Sequence, residues 1–220
     1  MNSSLQKPYL PAAGRDWALP LYDPLTSLLG INRVRRSLLE SANLKDASRV
    51  LDIGCGTGTL ALAIKQEYPH LEVAGLDPDP KALERAARKR KRAGEAVTFT
   101  RGYSEELPYA DSSFDRVLSS FMFHHVPSDA QPQMLREVFR VLRPGGSFHL
   151  LDLSRINDEG RNGAKKRHGM SRHMGQNSDP HIVDLLQRAG FSDARVMQSG
   201  AILFGAVRVA CFRGFRGRLG

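Results

Sequence analysis

Apolar residues along this 220-residue chain change their period several times, and each change marks an element. Over residues 24–43 they recur at helical spacing: Leu25, Leu28, Leu29, Ile31, Val34, Leu38 and Leu39 form one broad stripe, which predicts a helix. Short, nearly continuous apolar runs then predict strands at about 49–53, 71–77, 96–101, 114–120, 146–153, 193–198 and 202–212. Amphipathic stretches at 58–68, 80–93, 130–142 and 180–189 predict the helices between them. Strands alternating with helices predict one α/β sheet covered on both faces. Arg143-Pro144-Gly145-Gly146 reads as the turn into the strand at 146–153. Residues 1–22 are Pro-rich and irregular, with Trp17 and Tyr22 as candidate anchors. Residues 154–179 have no apolar period and are rich in Gly, Asn, Ser and basic side chains. So long a loop is uncommon inside a compact domain unless it is functional or disordered. A substrate lid and plain disorder are both open readings.

The segment Val50-Leu51-Asp52-Ile53-Gly54-Cys55-Gly56-Thr57-Gly58 carries the most information. A buried strand runs into alternating glycines and then an amphipathic helix, which is the nucleotide-binding corner of an open α/β sheet. The spacing is G-x-G-x-G. A dinucleotide fingerprint needs G-x-G-x-x-G, and a P-loop needs a Lys that is absent here. The glycines therefore serve close approach of backbone to a ligand rather than a phosphate cradle. Leu71 to Asp77 reads as the next strand and ends in an acid 19 residues after Gly58. An acid at that place can accept hydrogen bonds from ribose hydroxyls. A ribose site without a pyrophosphate site points to a nucleoside ligand.

VLDIGCGTG, GLDPD, FDRVLSSFMFHHV and LREVFRVLRPGGSFHLLDL, in this order and spacing, resemble the successive motifs of class I S-adenosylmethionine-dependent methyltransferases. The resemblance covers about residues 20–213 and is greatest to the small-molecule branch that includes the ubiquinone and menaquinone C-methyltransferases. It implies a Rossmann-like, doubly wound sheet of strand order 3-2-1-4-5-7-6 with the last strand antiparallel. It also implies S-adenosylmethionine as cofactor and methyl transfer to oxygen or carbon of a small organic acceptor. On this reading residues 1–43 are an N-terminal extension with lid or substrate helices, 44–213 the methyltransferase domain and 214–220 a basic tail.

The same resemblance proposes the site. Gly54, Cys55, Gly56 and Gly58 form the turn under the methionine and ribose portions of the cofactor. Asp52 orients that loop or meets the cofactor's ammonium through water. Asp77 takes the ribose, and Pro78 and Asp79 line one face of the adenine. Gly102-Tyr103-Ser104-Glu105-Glu106-Leu107-Pro108 matches a family stretch in which an Asp accepts from the adenine amino group; Tyr103 stands there instead. Tyr103 can stack or hydrogen-bond, and the backbone at Ser104 can substitute. Ser120 and Phe121 open the acceptor-side motif, and Tyr22 matches a position where Tyr closes over the cofactor. His124 and His125 follow. Histidine titrates near neutrality, so either ring can serve as a general base, with His125 expected to face the site. Packing beside the cofactor is the competing reading. The quinone C-methyltransferases carry Arg-Asn-Val at the matching triplet, a departure that argues against a quinone acceptor. The N/D-P-P-Y/F motif of amine methylases is missing, and neither cysteine falls where RNA cytosine methylases need one.

Composition narrows the rest. Two cysteines, Cys55 and Cys211, suit reduced thiols in a cytoplasm and leave no Cys-rich metal site. No apolar run is long enough to span a membrane and no signal-peptide core is evident, so a cytoplasmic location is expected. The net charge is +9 and is concentrated: residues 81–92 hold seven basic residues and one acidic, and residues 161–172 hold five basic residues. No aromatics interleave these clusters, which favours a solvated face over a specific nucleic-acid site. The alternatives are an RNA or protein methyltransferase that uses the basic surface, and a cofactor-binding scaffold of the same fold.

Overall fold

The computed structural model describes residues 31–154 and 178–218. Helix α1 spans Ile31–Ala42. Strand β1 (Arg49–Ile53), helix α2 (Thr59–Glu67), strand β2 (Glu72–Asp77), helix α3 (Pro80–Ala93) and strand β3 (Val97–Arg101) make the first half of the sheet. Strand β4 (Phe114–Ser120), helix α4 (Gln131–Val141), strand β5 (Leu142–Leu153), helix α5 (Asp179–Arg188), strand β6 (Ser192–Ile202) and strand β7 (Val207–Phe215) complete it. The seven strands lie in the order 3-2-1-4-5-7-6. Strands β1 to β5 run parallel, and β7 is antiparallel to both β5 and β6. This is the sheet order that the motif resemblance implies.

Side chains leave β1 alternately to two cores. Leu51 and Ile53 join the layer under α4 and α5, with Phe114, Phe148, Leu135, Val138 and Leu186. Val50 joins the opposite layer under α1 and α2, with Leu38, Leu60, Ile64, Leu118 and Leu151. Period-2 strands feeding two apolar layers are what a sheet buried on both faces requires. Each of the largest fully buried side chains, such as Leu118, contributes about 2–5 kcal/mol against truncation to Ala. Helix α1 belongs to this core through Ile31, Leu38, Leu39 and Ala42, although it precedes β1.

Two boundaries differ from the sequence expectation for identifiable reasons. Strand β5 begins at Leu142, so Arg143 to Gly146 is a bulge inside a strand rather than a turn before one. Leu142 pairs with Phe114 and Ser147 with Arg116, while Gly145, at φ +82°, donates its N–H to Arg216 O. The C-terminal strand thus draws the bulge into the sheet. At the other edge, β6 runs on to Ile202 and turns through Leu203–Gly205 into β7. Pairing of Ala201 with Arg208 and Ile202 with Val207 extends the hairpin beyond what apolar pattern alone marks.

The strand order reverses between β1 and β4, which lie side by side in parallel while their connections leave in opposite directions. Open α/β sheets leave a crevice at such a place, outside the carboxyl ends of the strands. Helix α3 begins at that edge, with Asp79 as its N-cap accepting from Lys81 N at 2.8 Å. Its basic residues Arg88, Arg90, Lys91 and Arg92 are exposed along its C-terminal half, away from the crevice. Among the described residues no helix is long and apolar enough to cross a membrane.

Candidate functional site

The crevice holds a cleft of about 190 Å³ between the loop after β1 and the end of β4. Of the residues singled out in the sequence, Gly54, Cys55, Gly56, Asp77, Pro78, Asp79, Tyr103, Ser104, Ser120, Phe121 and His125 line it. Asp52, Gly58 and His124 do not form its wall. Tyr22 and nearly all of the 154–179 loop lie outside the described residues.

The glycine loop shows a division of labour. Gly54 is at φ +71° and Gly56 at φ +52°, both in the left-handed region where other residues are strained. A Cβ on Gly56 would meet nothing within 4 Å, so its face looks into open cleft. A Cβ on Gly58 would lie 2.6 Å from the Phe99 ring and 2.9 Å from Ala86 Cβ. Gly58 therefore lets α2 start close against α3 and β3, and acts through packing. Cys55 is buried, and burial raises its thiol well above the usual range. Its sulfur lies 2.9 Å from where Gly75 would carry a Cβ, so it fills a gap between strands.

Asp77 is buried and fastens two backbone segments. Its Oδ2 accepts from Gly56 N at 2.8 Å and its Oδ1 from Asp79 N at 2.9 Å. Burial raises its pKa, and the two N–H donors pull against that rise. Each oxygen keeps a lone pair for a further donor in the cleft. The sequence marks Asp77 as a strand-end acid free to meet ligand; the structure makes it the anchor of the glycine loop as well.

Asp52 lies beneath the loop, 1% exposed, and neither carboxylate oxygen has a hydrogen-bond partner among the described residues. Burial raises its pKa to about 7, against the lowering charge of Arg35. Arg35 projects from α1 to line the cleft, and its Nε and Nη1 are also buried without partners. Sequence reading missed this residue, yet a signal was there. Ile31, Arg35, Leu38, Leu39 and Ala42 share one helical face, so Arg35 is a cation in an apolar stripe. Glu105 is a second cleft residue not foreseen; its Oε2 accepts from Ser104 Oγ at 2.9 Å.

The opposite wall comes from the end of β4. Phe121 sits at φ +56°, unusual for a bulky side chain, and donates its N–H to Leu151 O at 2.8 Å. A single 3-10 turn, Phe123–His125, follows. The His124 and His125 rings are 4.1 Å apart between centroids. His125 faces the cleft, and burial together with the neighbouring His124 lowers its pKa to about 4. His124 turns instead to β5, where its Nδ1 lies 2.5 Å from Asp152 Oδ1. Among the described residues no cluster of three or more His, Cys, Asp or Glu is arranged to hold a metal ion.

Residues 50–146 match the family described as a methyltransferase domain. The chain is 37% identical over 136 residues to a demethylmenaquinone methyltransferase of Deinococcus radiodurans, covering 60% of this chain and 56% of that protein. It is 38% identical over 136 residues to the demethylmenaquinone methyltransferase of Thermus thermophilus, covering 60% and 61% of the two. The match thus spans less than two thirds of the length of these relatives. Among solved structures, a SAM-dependent methyltransferase from Aquifex aeolicus superposes with TM-score 0.61 at 20% identity, over 82% of this chain and 87% of that one. Haemonchus contortus phosphoethanolamine N-methyltransferase 2, with phosphomonomethylethanolamine and S-adenosylhomocysteine, gives TM-score 0.72 at 18% identity, over 84% and 53%. The [4+2]-cyclase SpnF gives TM-score 0.68 at 18% identity, over 85% and 81%. These likenesses establish the fold.

Proposed function

We propose that this chain, which carries a class I S-adenosylmethionine-dependent methyltransferase domain, transfers a methyl group to oxygen or carbon of a small, hydroxylated aromatic acceptor. The observation that carries the reading is the cleft's pairing of open backbone at Gly56 with the carboxylate of Asp77 and the unsatisfied guanidinium of Arg35, above the buried Asp52. That set fits S-adenosylmethionine. The Arg35 guanidinium and the Asp52 carboxylate complement the carboxylate and ammonium of an amino-acid end. Gly56 brings bare backbone to the ribose and sulfur region, Gly54 makes room for Met122 on the facing bank, and Asp77 offers its spare lone pairs to ribose hydroxyls. Tyr103, Ser104 and Glu105 wall the adenine end, beside Pro78 and Asp79.

S-adenosylmethionine supplies, when bound, a methyl carbon on a sulfonium, already activated for displacement. The chain's own work is then to bind, align and exclude water. Phe121, Met122, Val126 and Pro127 give the acceptor side an apolar wall. Such a wall suits a flat aromatic ring better than a charged strand of nucleic acid. His125 on this wall stays neutral at ordinary pH, because a ring with a pKa of about 4 is a weak proton acceptor. It orients the acceptor by hydrogen bonding.

The names of the relatives make a demethylmenaquinol the first acceptor to test. The His124-His125 pair, where the quinone enzymes resembled by the sequence carry Arg-Asn, makes simpler phenols and naphthalenediols the second. The experiment is transfer of radiolabelled methyl from S-adenosylmethionine to a short-chain demethylmenaquinol and to naphthalenediols. Labelled product from one of these classes is the expected result. Labelling of RNA or protein substrates with none of them would overturn the reading.

A further inference from the structure

Buried between the end of β4 and the end of β5 is an acid that neither the glycine motif nor the cleft wall accounts for. Asp152 is 1% exposed and sits in the apolar run Leu150-Leu151-Asp152-Leu153. Its carboxylate receives three donors. Leu153 N lies 2.6 Å from Oδ1, and His124 N lies 3.1 Å from Oδ2. The third is the His124 ring, at 2.5 Å from Nδ1 to Oδ1. Two backbone bonds would suffice to tie the turn to the sheet. The ring contact is additional, and it fixes chemistry.

An ionised carboxylate only accepts hydrogen bonds, so the Nδ1 facing it must carry the proton. In a neutral imidazole the other nitrogen, Nε2, is then a bare lone pair. Among the described residues no hydrogen bond engages that Nε2. The His124 side chain keeps 13% of its surface open, and its ring packs at a 40° tilt against His125, which lines the cleft. His124 stands behind the cleft-lining His125, with ring centroids 4.1 Å apart, and its tautomer is fixed by a buried acid.

We propose that Asp152 positions His124 as the proton acceptor of this site, and that His125, the ring that faces the cleft, is its neutral neighbour. This rests on the methyl-transfer reading given above. In the step, the acceptor enters past the edge of the His125 ring, its O–H bond breaks and its proton passes to His124 Nε2. The acceptor's oxygen, or the ring carbon it activates, forms the new bond to the methyl carbon; on the carbon route the ring C–H bond then breaks and the proton returns to the oxygen as the ring regains aromaticity. The electron pair of the breaking sulfur–methyl bond stays on sulfur, which loses its positive charge as His124 gains one. Asp152 holds the resulting imidazolium in place, a carboxylate–histidine arrangement known to serve as a base in unrelated enzymes.

The test uses the full chain with S-adenosylhomocysteine bound and 15N-labelled histidine. The expected spectrum gives His124 a protonated Nδ1 and an unprotonated Nε2. Asp152→Asn keeps an oxygen for only one of the two backbone donors, which sit on different carboxylate oxygens, and loses the charge; it should abolish that tautomer preference. With short-chain demethylmenaquinol or a naphthalenediol as acceptor, Asp152→Asn and His124→Gln should each lower kcat by roughly 10²–10⁴ while KM changes less than about threefold. His125→Gln should cost less than about tenfold. A His124 protonated at Nε2 in the wild type would overturn the assignment, whether or not Asp152→Asn folds. So would a folded, cofactor-binding His124→Gln enzyme with kcat near normal. If the wild type methylates neither acceptor class, the functional reading fails, and the spectrum still decides the pairing.

Discussion

The two banks of the cleft are made by different means. The bank after β1 is backbone: three glycines at positive φ, with an acid on β2 fastening Gly56 through a 2.8 Å bond. The bank after β4 is side chains: Met122, His125 and Val126 on the wall, with His124 reaching 28 residues along the chain to Asp152. Backbone geometry is imposed by local residue choice, so a short motif encodes the first bank. The second depends on β4 and β5 lying side by side in register, Ser120 opposite Leu151, and exists only once the sheet has formed. On the proposed reading the first bank holds the S-adenosyl cofactor. The other is free to vary with the acceptor.

Within the first bank the largest loss is expected at Gly58. Its φ of +74° and the closeness of Phe99 and Ala86 leave no room for a side chain. Gly58→Val should lose about 2–5 kcal/mol of stability from strain and overpacking combined. A denaturation midpoint close to that of the wild type would mean the helix can draw back, and would demote Gly58 from its packing role.

Asp77→Ala comes next. Losing hydrogen bonds to a charged group should weaken S-adenosylhomocysteine by about 1.5–3 kcal/mol, roughly ten- to a hundred-fold. Because Asp77 also holds Gly56 N and Asp79 N, a stability loss of about 1 kcal/mol should accompany it. Calorimetry and thermal melts on the same sample separate the two. Affinity unchanged in the folded variant would place the ribose elsewhere.

Gly56→Ala should do the reverse of Gly58→Val. Its Cβ has space, so the only cost to the fold is the left-handed backbone, about 1–2 kcal/mol. The methyl group then protrudes into the cleft and should reduce ligand affinity by more than it reduces stability. Equal losses in both would mean that no ligand approaches this glycine.

A separate effect, outside both banks, is in the pH dependence of stability. His149 is buried between Ser41 Oγ and Ser147 Oγ, and burial lowers its pKa from 6.5 to about 3. The unfolded chain therefore binds a proton that the folded chain refuses between those values, and stability falls as pH drops below 6.5. Asp52 works in the other direction. Its folded pKa of about 7 exceeds the ordinary 3.8, so its contribution is lost as pH rises from about 4 to 7. His149→Leu should flatten the acid limb of a Tm-against-pH curve, and Asp52→Asn the neutral one. Parallel curves for variants and wild type would contradict both burial effects.

Much of the fold is legible in the sequence because strands and helices here carry clear periods. Strand β4 and helix α3 fall where the pattern puts them, at Phe114–Ser120 and Pro80–Ala93. The β5 bulge and the long β6–β7 hairpin are not legible, since both arise from pairing with distant residues such as Arg216 and Arg208. The glycine loop and Asp77 are visible as a motif. Arg35 and Asp152 are visible only as charges inside apolar runs, a signal that says something is wanted there without saying what. Which histidine meets the acid could not be read from the adjacent pair; the turn at Phe123–His125 decides it by sending one ring to the cleft and the other to β5.

On the proposed reading the cleft takes an S-adenosyl nucleoside and not a dinucleotide. Titration calorimetry of the wild-type chain with S-adenosylhomocysteine and, separately, with NAD tests it most directly. Saturable binding of S-adenosylhomocysteine, weakened ten- to a hundred-fold by Asp77→Ala, with no heat from NAD, is the predicted result. Tight binding of NAD with no response to S-adenosylhomocysteine would contradict it.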